Sequence, residues 1–346
     1  MRILVVNAGS SSLKLSLLDG EDATTIAPDD LRDAGAGADA VGHRIVHGGT
    51  RFTEAVRIDD DVHRALVALT DLAPLHQPKS LDALRTVQEA LPDLPHVACF
   101  DTAFHTTLPP EAYTYALPRA WRERHGVRRF GFHGLSHAWI ARTVEAPRVV
   151  SCHLGAGASL CAIRDGRSVD TTMGFTPLEG LVMATRSGSV DPGLVLWLQQ
   201  HEGLDADTIA HALEHESGLL GLTGTADLEE ILARAARGDD VATGAIDTYI
   251  HRLAASVAAM AAALGGLDAL AFTGGVGEHA PAIRAAAAQR LAFLGVRIDP
   301  TRNAGADPSA DTAGADISAP GAAVSTRVIA AREDREIARQ VTALLE

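Results

Sequence analysis

Aromatic side chains and positive charge are both scarce in this chain. Phe, Trp and Tyr make up only 4% of the 346 residues, too few for the stacking surfaces on which nucleic-acid bases rest. The formal net charge is -14, and a surface of that sign repels nucleic-acid phosphates and anionic lipids. We therefore expect small-molecule substrates, no nucleic acid and no membrane, while a local basic pocket for a small anion remains compatible with this composition.

Cysteine and long apolar runs are also lacking. The three cysteines, Cys99, Cys152 and Cys161, have no Cys-x-x-Cys spacing, so we expect neither a disulfide framework nor a zinc site. The apolar run before Asn7 is too short for the core of a signal peptide, and residues 253–264 are about half as long as a membrane span. These absences predict a cytoplasmic protein.

A glycine-bearing turn occurs twice. Residues 7–12, Asn-Ala-Gly-Ser-Ser-Ser, have a counterpart in residues 153–158, His-Leu-Gly-Ala-Gly-Ala. Each turn follows a short β-branched run and precedes a strand-like stretch that ends in Asp-Gly, a hairpin signal. Two such units, whose turns expose backbone N–H groups, can hold a polyphosphate between them. The repeat therefore predicts phosphoryl transfer, and a third glycine turn at residues 273–278 is similar to nucleotide-binding turns.

The length of the chain predicts two domains, because 346 residues exceed the size at which a single core stops growing. We place them at residues 1–146 and 147–346, with the terminal helix free to pack back on the first domain. Helices are predicted at residues 59–72, 78–91, 136–144, 192–200, 206–214, 228–236, 241–264, 281–291 and 333–345. Between the helices lie short strand-like runs, which indicates the α/β class. Residues 21–40 are predicted to form a surface connection.

Two arginines stand where a solvent-facing arginine is not expected. Arg44 lies in the apolar segment of residues 41–46, and Arg186 lies in the segment Ala-Thr-Arg-Ser-Gly of residues 184–188. A guanidinium can bind phosphate or carboxylate through two parallel hydrogen bonds. Each arginine is therefore either an anion ligand or half of a buried ion pair with an acid such as Asp191.

Other polar residues follow predicted strands or open predicted helices. His133 lies between an aromatic residue and a glycine, where its ring either donates to a developing charge or packs in the core. Asp101 ends a buried strand, at the edge where α/β sheets place their chemistry. Glu333 is either a helix-capping acid or, with Asn7, an oxygen ligand for Mg²⁺. Lys14 is either a solvated edge charge or an anion contact.

Four segments together resemble the signatures of the acetate kinase family, in that family's order: residues 7–14, 100–105, 131–134 and 173–188. The resemblance covers nearly the whole chain. It implies an α/β fold of two duplicated ribonuclease-H-like domains, as in actin-like ATPases, with a central cleft. The acyl substrate is expected on the first domain and the nucleotide on the second.

The resemblance also implies an activity. A Mg²⁺-dependent enzyme of this family reversibly transfers the γ-phosphoryl group of ATP to acetate or another short-chain carboxylate, giving acetyl phosphate and ADP. Members of this family are typically homodimers, so the resemblance also implies a homodimer. We expect Asp101 to orient an arginine or a Mg²⁺-bound water instead of acting as a base, because a carboxylate with a pKa near 4 is already ionised at pH 7.

Roles follow from the family positions. Catalytic roles are implied for Asp101, His133 and Arg186, and Mg²⁺ binding for Asn7 and Glu333. Substrate binding is implied for Arg44, with Val46, Leu75, Phe132 and Pro177 around the acyl methyl. Nucleotide contacts are implied for Ser10, Ser12, Lys14, His153, Leu154, Gly155, Ala156, Gly157, Asp227, Leu228, Glu229, Gly275, Val276, Gly277, Glu278 and His279.

Three departures from the family pattern, Ala156, Glu229 and His279, fall on the nucleotide side and leave alternatives open. One is a propionate or other short-chain acyl kinase, since one methylene in the pocket changes binding by only about 1 to 3 kcal/mol. Another is a kinase that uses GTP or pyrophosphate as donor. A third is a catalytically weakened protein that binds acyl phosphate or nucleotide. A sugar kinase conflicts with the apolar surroundings of Phe132.

Overall fold

The structure is a computed structural model that describes residues 1–8, 13–20, 22–27, 31–72, 77–309 and 311–346. Three predicted site residues, Ser10, Ser12 and Leu75, lie outside these ranges, as does most of the first glycine turn. The described chain forms two compact units. The first unit comprises Met1–Thr107, Phe130–Trp139 and Ala331–Glu346, and the second comprises Leu108–Arg129 and Ile140–Ala330. The domain boundary at residues 146 and 147 stays a prediction.

A six-stranded sheet forms the centre of the first unit. Its strands are β1 (Arg2–Ala8), β2 (Leu13–Asp19), β3 (Asp22–Ile26), β4 (Ala40–Ile45), β5 (Val56–Arg57) and β6 (His96–Phe100). The strand order is β3-β2-β1-β4-β6-β5. The strands β1, β4 and β6 run parallel, whereas β2, β3 and β5 pair antiparallel with their neighbours. The buried parallel strands β4 and β6 therefore end at one edge of the sheet.

The second unit repeats this topology strand for strand. Its strands are β7 (Arg148–Leu154), β8 (Ala158–Arg164), β9 (Arg167–Thr171), β10 (Ala269–Thr273), β11 (Ala315–Asp316) and β12 (Ser325–Val328). The order β9-β8-β7-β10-β12-β11 reproduces that of the first sheet, with the same parallel and antiparallel pairs. The duplication predicted from the repeated turn is thus present in the fold.

Fifteen α-helices of the described residues flank the sheets. They are α1 (Leu31–Gly35), α2 (Asp60–Ala68), α3 (Gln77–Ala90), α4 (Pro110–Tyr113), α5 (Arg119–His125), α6 (Gly134–Thr143), α7 (Pro192–His201), α8 (Ala206–His215), α9 (Gly218–Thr223), α10 (Leu228–Ala236), α11 (Asp240–Leu264), α12 (Gly274–His279), α13 (Pro281–Arg290), α14 (Pro300–Ala304) and α15 (Glu333–Leu345). Among these helices, none has the length and apolar character needed to cross a membrane.

Aspartates begin several of these helices. The side chains of Asp59, Asp205, Asp227 and Asp239 each accept a hydrogen bond from a backbone N–H in the first turn of the helix that follows. Such a cap satisfies an N–H group that has no partner within the helix, and it contributes about 1 kcal/mol. Local sequence therefore determines where these helices start.

The terminal helix α15 packs on the first sheet. Its residues Ile337 and Val341 are buried with Ile3 and Val5 of β1 and with neighbouring apolar side chains. Each such buried side chain stabilises the fold by about 1.5–3 kcal/mol. Gly42 of β4 permits this approach, since a Cβ there would collide with both helix residues. The packing brings the first residue of α15 to the edge at which β1 ends.

The prediction for residues 21–40 was wrong, because this segment contains β3 and α1. The strand pairs with β2 along its whole length, from Leu15 opposite Ile26 to Asp19 opposite Asp22. It is an edge strand whose side chains are nearly all exposed. An exposed strand needs no alternation of apolar residues, so its sequence lacked the pattern on which the prediction relied.

Candidate active site

Arg44 and Asp101 form a buried ion pair in the first unit. Arg44 lies near the end of β4, and Asp101 directly follows its parallel neighbour β6, so both side chains reach the same edge of the sheet. The guanidinium donates from Nε to Oδ1 at 3.2 Å and Oδ2 at 3.0 Å, and from Nη2 to Oδ2 at 2.6 Å. Only 14% of the Arg44 side chain and 1% of the Asp101 side chain are exposed.

The attraction between the two charges offsets the free energy that it costs to remove them from water. Burial alone lowers the pKa of the Arg44 guanidinium, but the carboxylates of Asp101 and Glu333 outweigh it and raise that pKa above its ordinary value. Burial also raises the pKa of the Asp101 carboxyl group, and Arg44 acts against this rise. An arginine stays protonated at any physiological pH. Arg44 is therefore a permanent cation, and its planar fork is held by Asp101.

Asn7 and Glu333 extend the ion pair into a chain of four polar side chains. Arg44 donates from Nη1 to Oδ1 of Asn7 at 3.3 Å, and Asn7 donates from Nδ2 to Oε2 of Glu333 at 2.7 Å. Asn7 stands near the end of β1, and Glu333 is the first residue of α15. The structure thus brings four predicted site residues together, although they are spread from one end of the chain to the other.

The oxygens of Asn7 and Glu333 fit a magnesium ion. An amide oxygen and a carboxylate are hard ligands, and Mg²⁺ is usually held by one or two carboxylates while it keeps several waters or phosphate oxygens. Throughout the described ranges, no group of three or more His, Cys, Asp or Glu residues is arranged to hold a metal. A cation at this place would therefore complete its coordination with water or phosphate.

His133 lies in a strained turn attached to Asp101. Its backbone φ is 55°, in the left-handed region that a residue with a side chain seldom occupies. The N–H of Gly134 donates to the carbonyl of Asp101 at 2.8 Å. A Cβ at Gly134 would collide with that carbonyl oxygen, so only glycine permits this contact. Backbone strain of this kind is concentrated at functional sites, and here it fixes His133 beside Asp101.

Two of the residues predicted for the acyl pocket, Val46 and Phe132, belong to the first unit. Val46 and Phe132 are buried. The ring of His47 makes edge contacts with the rings of Phe132 and Phe130, with centroid distances of 5.5 and 4.5 Å. Burial lowers the pKa of His47 to about 4, so this ring is neutral at pH 7 and behaves as part of an apolar wall. No pocket role was predicted for His47 from the sequence.

Arg186 and Pro177 lie together in the second unit. The Nε of Arg186 is 3.3 Å from Oε2 of Glu214, and its Nη1 donates to the carbonyl of Pro177 at 3.2 Å. The predicted partner Asp191 instead caps α7 by accepting from the N–H of Gly193 at 2.9 Å. The ion-pair interpretation of Arg186 therefore applies with a different acid, one that comes from a helix 28 positions along the chain.

Two of the predicted nucleotide segments meet at the edge of the second sheet. The segment of residues 153–157 begins at the last two residues of β7 and continues into the turn after it. The glycines of α12 follow the parallel strand β10, with Thr273 opposite His153. Gly274 has a φ of 77°, and a Cβ there would collide with the backbone of Leu154. Glu278 closes its own turn by accepting from the N–H of Gly274 at 3.0 Å. Backbone amides of adjacent turns are a common way to bind an anion, and a phosphate-binding role for these two turns stays a prediction.

The remaining predicted nucleotide residues lie elsewhere. Lys14 is exposed on β2, directly opposite Asn7 in the β1–β2 ladder. Asp227 caps α10 and accepts from the N–H groups of Glu229 and Glu230 at 2.9 and 3.3 Å. The contacts of α10 run mainly to α11. A nucleotide role for Asp227, Leu228 and Glu229 stays a prediction.

Comparisons with known proteins agree with this arrangement. Residues 23–339 match the model of the acetokinase family. The acetate kinase of Leifsonia xyli subsp. xyli is 44% identical over 391 aligned positions, which cover 98% of this chain and 97% of the relative. The chain belongs to the acetokinase family. Because the alignment is longer than the chain, this relative carries insertions that the chain lacks.

Solved structures of the acetokinase family have the same fold. The propionate kinase from Francisella tularensis subsp. tularensis SCHU S4 is 35% identical with a TM-score of 0.89, covering 98% of both chains. The acetate kinase of Porphyromonas gingivalis is 33% identical with a TM-score of 0.88 over the whole of both chains. The predicted fold of two duplicated actin-like ATPase domains in the α/β class is confirmed.

Family membership establishes the class of reaction. The acetokinase family catalyses formation of acetyl phosphate and uses ATP as its kinase substrate. The chain is accordingly a kinase that transfers a phosphoryl group to a carboxylate, and its substrates are small molecules.

One polar cluster in the second unit was missed by the sequence analysis. Arg129 donates to Oε1 of Glu179 at 2.7 Å and to the carbonyls of Thr172 and Met173 at 3.1 and 2.9 Å. The hydroxyl of Tyr115 donates to Oε2 of the same glutamate at 2.5 Å. This cluster anchors the loop that carries Pro177 and Arg186. Single polar residues far apart in sequence offer no periodic pattern, so no local signal marked them.

Proposed function

We propose that the protein forms acetyl phosphate from acetate and ATP, with Arg44 and Arg186 binding the carboxylate and the transferring phosphoryl group. The observation that carries this proposal is the partly buried chain of Arg44, Asp101, Asn7 and Glu333, in which a cation lies beside oxygen ligands suited to Mg²⁺. Charge neutralisation and positioning are what phosphoryl transfer requires from a protein.

Asp101 acts as a positioning residue in this proposal. Both of its oxygens accept from Arg44, so the carboxylate is already engaged in orienting the guanidinium. Acetate is ionised at neutral pH and needs no base to become a nucleophile. His133, held beside Asp101 by the Gly134 contact, is proposed to donate to the phosphoryl oxygens as charge builds up there.

Asn7 and Glu333 would hold Mg²⁺, which neutralises phosphate charge when it is bound. Val46, Leu75, Phe132 and Pro177 would line the acyl pocket, and the turns at residues 153–157 and 275–279 would hold the nucleotide phosphates. The neutral His47 ring beside Phe132 supports a pocket for a methyl group instead of a sugar hydroxyl. Propionate is the second candidate acceptor, since the Francisella tularensis relative is a propionate kinase.

We propose a cytoplasmic homodimer as the working form. The surface of α7 supports self-association, because Leu194, Leu196 and Trp197 are each exposed by 46 to 54% and the helix contains no Asp, Glu, Lys or Arg. In a chain of net charge -14, two copies meet with least repulsion on an uncharged face. Light scattering of Trp197→Asp should report a monomer, and Trp121→Asp, at an even more exposed tryptophan, should leave the dimer intact. A dimer that survives Trp197→Asp would remove α7 from the interface.

An activity matrix tests the proposed reaction. Acetate, propionate and butyrate would be combined with ATP, GTP and pyrophosphate, with and without Mg²⁺, and acyl phosphate would be trapped as hydroxamate. We expect ATP with acetate and Mg²⁺ to give the highest kcat/KM. No hydroxamate with any pair of substrates would refute the proposal, and a higher kcat/KM for propionate would reassign the acceptor.

A further inference from the structure

Arg186 lies in a loop that is fastened to a neighbouring helix. The N–H of Ser187 donates to the carbonyl of Leu213 at 3.0 Å, and the hydroxyl of Thr185 donates to the carbonyl of Glu214 at 2.9 Å. Both acceptors belong to the last turn of α8. The N–H of Ser217, just after that helix, donates to the carbonyl of Thr185 at 3.0 Å. Hydrogen bonds therefore hold the backbone on either side of Arg186 at the C-terminal end of α8.

The side chain of Glu214 comes from the same helix turn and meets Arg186. Its Oε2 is 3.3 Å from Nε of the guanidinium, and the two side chains are only 11% and 13% exposed. Burial lowers the pKa of Arg186, and Glu214 acts against this. A buried cation is stable only with a nearby counter-charge or hydrogen-bond acceptors. Glu214 supplies that charge from outside the loop.

The contacts of Arg186 leave one side of its fork available. Glu214 engages Nε, while Nη1 is shared between the Pro177 carbonyl at 3.2 Å and Sδ of Met183 at 3.7 Å. Among the residues that the structure describes, Nη2 has no hydrogen-bond partner. A bidentate ion pair would use Nε and Nη2 together. The single contact with Glu214 thus fixes the guanidinium and leaves an N–H edge for an anion.

We infer that Glu214 is a positioning residue, which holds Arg186 so that its free edge meets the anionic acyl or phosphoryl group. The inference rests on the proposed role of Arg186 and adds a residue that the motif comparison did not identify. Glu214 does not contact the substrate in this proposal. It affects the reaction rate only by holding Arg186 in place.

A double-mutant cycle tests this dependence. Glu214→Gln keeps the shape of the side chain and removes its charge, and misplacement of a catalytic group by about 1 Å costs up to about 10²-fold in rate. We therefore expect kcat to fall about 10- to 100-fold, with KM for ATP changed by less than about twofold. Against an Arg186→Ala background, Glu214→Gln should have no further effect. The same fold-loss in both backgrounds would overturn the inference.

Glu216→Gln is the matched control, because Glu216 lies two residues further on but is exposed and pairs only loosely, at 3.5 Å, with His211. This variant should retain wild-type kcat. If Glu214→Gln does not fold by circular dichroism, Glu214→Asp replaces it, since the shorter acid keeps the charge but withdraws it from Nε. A wild-type kcat in Glu214→Asp would then contradict the inference.

A measurement independent of turnover separates this inference from the proposed function. The rate at which phenylglyoxal modifies Arg186, followed by peptide mass spectrometry, should rise several-fold in Glu214→Gln and stay unchanged in Glu216→Gln. An unchanged rate in Glu214→Gln overturns the positioning role. If the wild-type protein forms no acyl hydroxamate, the proposed function fails, while the labelling rate still decides the role of Glu214.

Discussion

The ion pairs Arg44–Asp101 in the first unit and Arg186–Glu214 in the second both place a buried arginine beside a carboxylate, but the two pairs are built differently. In the first unit, Asp101 engages Arg44 through both of its oxygens, with a shortest distance of 2.6 Å. In the second unit, Glu214 approaches Arg186 at a single atom and at 3.3 Å. The neighbouring acids raise the pKa of Arg44 against the effect of burial, whereas burial prevails at Arg186 and lowers its pKa.

The difference suggests a division of labour between the two cations. Arg44 is paired with Asp101 through Nε and Nη2 and also donates from Nη1 to Asn7, so it contributes a fixed frame. Arg186 keeps more of its charge uncompensated and retains a donor edge, so it responds more strongly to an incoming anion. The two arginines should therefore differ in how much stability and how much activity depend on each.

The largest expected effect is that of removing Arg44. Arg44→Ala leaves Asp101 charged and buried without a partner, which typically costs about 3–5 kcal/mol of stability. Chemical denaturation should show this loss together with loss of activity. Arg186→Ala should lower activity severely, to a residual rate that can still be measured, but should cost less stability, because its ion pair is weaker. Arg85→Ala, on an exposed helix face, serves as the control, and equal losses of stability in the two buried variants would contradict the comparison.

The next effect concerns the two carboxylates. Asp101→Asn frees the Arg44 fork from a charge that holds it at two atoms, and we expect kcat to fall by about 10²-fold. Glu214→Gln should lose less, since it removes one long contact. Hydroxamate assays at saturating substrates give both numbers. A larger loss of kcat in Glu214→Gln than in Asp101→Asn would contradict the assignment of Arg44 as the fixed cation and Arg186 as the one that responds to the anion.

A smaller effect distinguishes the two units by acid sensitivity. Burial lowers the pKa values of His43, His47 and His96, all in the first unit, and that of His47 falls to about 4. The unfolded chain binds protons at these histidines from about pH 6.5 downward while the folded chain does not. Their neutral folded forms therefore stabilise the protein fully above pH 6.5, and stability falls as the pH drops towards 4.

Urea denaturation at pH 7.5 and pH 5.5 measures this acid sensitivity. The free energy of unfolding should be smaller at pH 5.5 than at pH 7.5, and the contribution of His47 to this decrease should be about 1 kcal/mol. In His47→Gln, the decrease in the free energy of unfolding between pH 7.5 and pH 5.5 should be smaller than in the wild type. In His201→Gln, at an exposed histidine, it should equal that of the wild type. Equal decreases in wild type and His47→Gln would mean that His47 is already charged in the folded protein.

The smallest effect is expected at the anchor of the Arg186 loop. Tyr115→Phe removes a hydroxyl that donates to Glu179 at 2.5 Å and accepts from the N–H of Phe175 at 2.9 Å. The cost should be about 1–3 kcal/mol of stability, because the partners stay buried without it, with a few-fold lower kcat. Denaturation and the hydroxamate assay measure both. Tyr113→Phe is the control, and no change in Tyr115→Phe would show that Arg129 anchors the loop alone.

Local patterns predicted much of the fold. Helix α10 was predicted within its observed bounds, residues 228–236, because Asp227 caps it and its apolar residues follow a helical period. The strands β3 and β12 were not predicted. One is exposed at a sheet edge, and the other, of four residues, is too short for alternation to stand out.

The candidate site divides in the same way. Arg44 and Arg186 stood out because a charge in an apolar or glycine-rich segment is unusual, and Asp101 because it ended a buried strand. Glu214 lies on a helix among other acids, so nothing local distinguished it. Two interpretations of Arg186 were left open, an anion ligand or half of an ion pair with an acid such as Asp191. In the described residues Arg186 pairs with Glu214 instead, while Asp191 caps α7.

The amino-acid sequence by itself determined the duplicated units, the family and the residue types available for phosphoryl transfer, because turns, periodicity and motifs are encoded by neighbouring residues. Only the tertiary structure decided which acid faces which arginine and that Asn7 and Glu333 share one hydrogen bond across 326 positions. These pairings depend on which strand ends and helix ends packing brings to one edge of a sheet, and no local pattern specifies that.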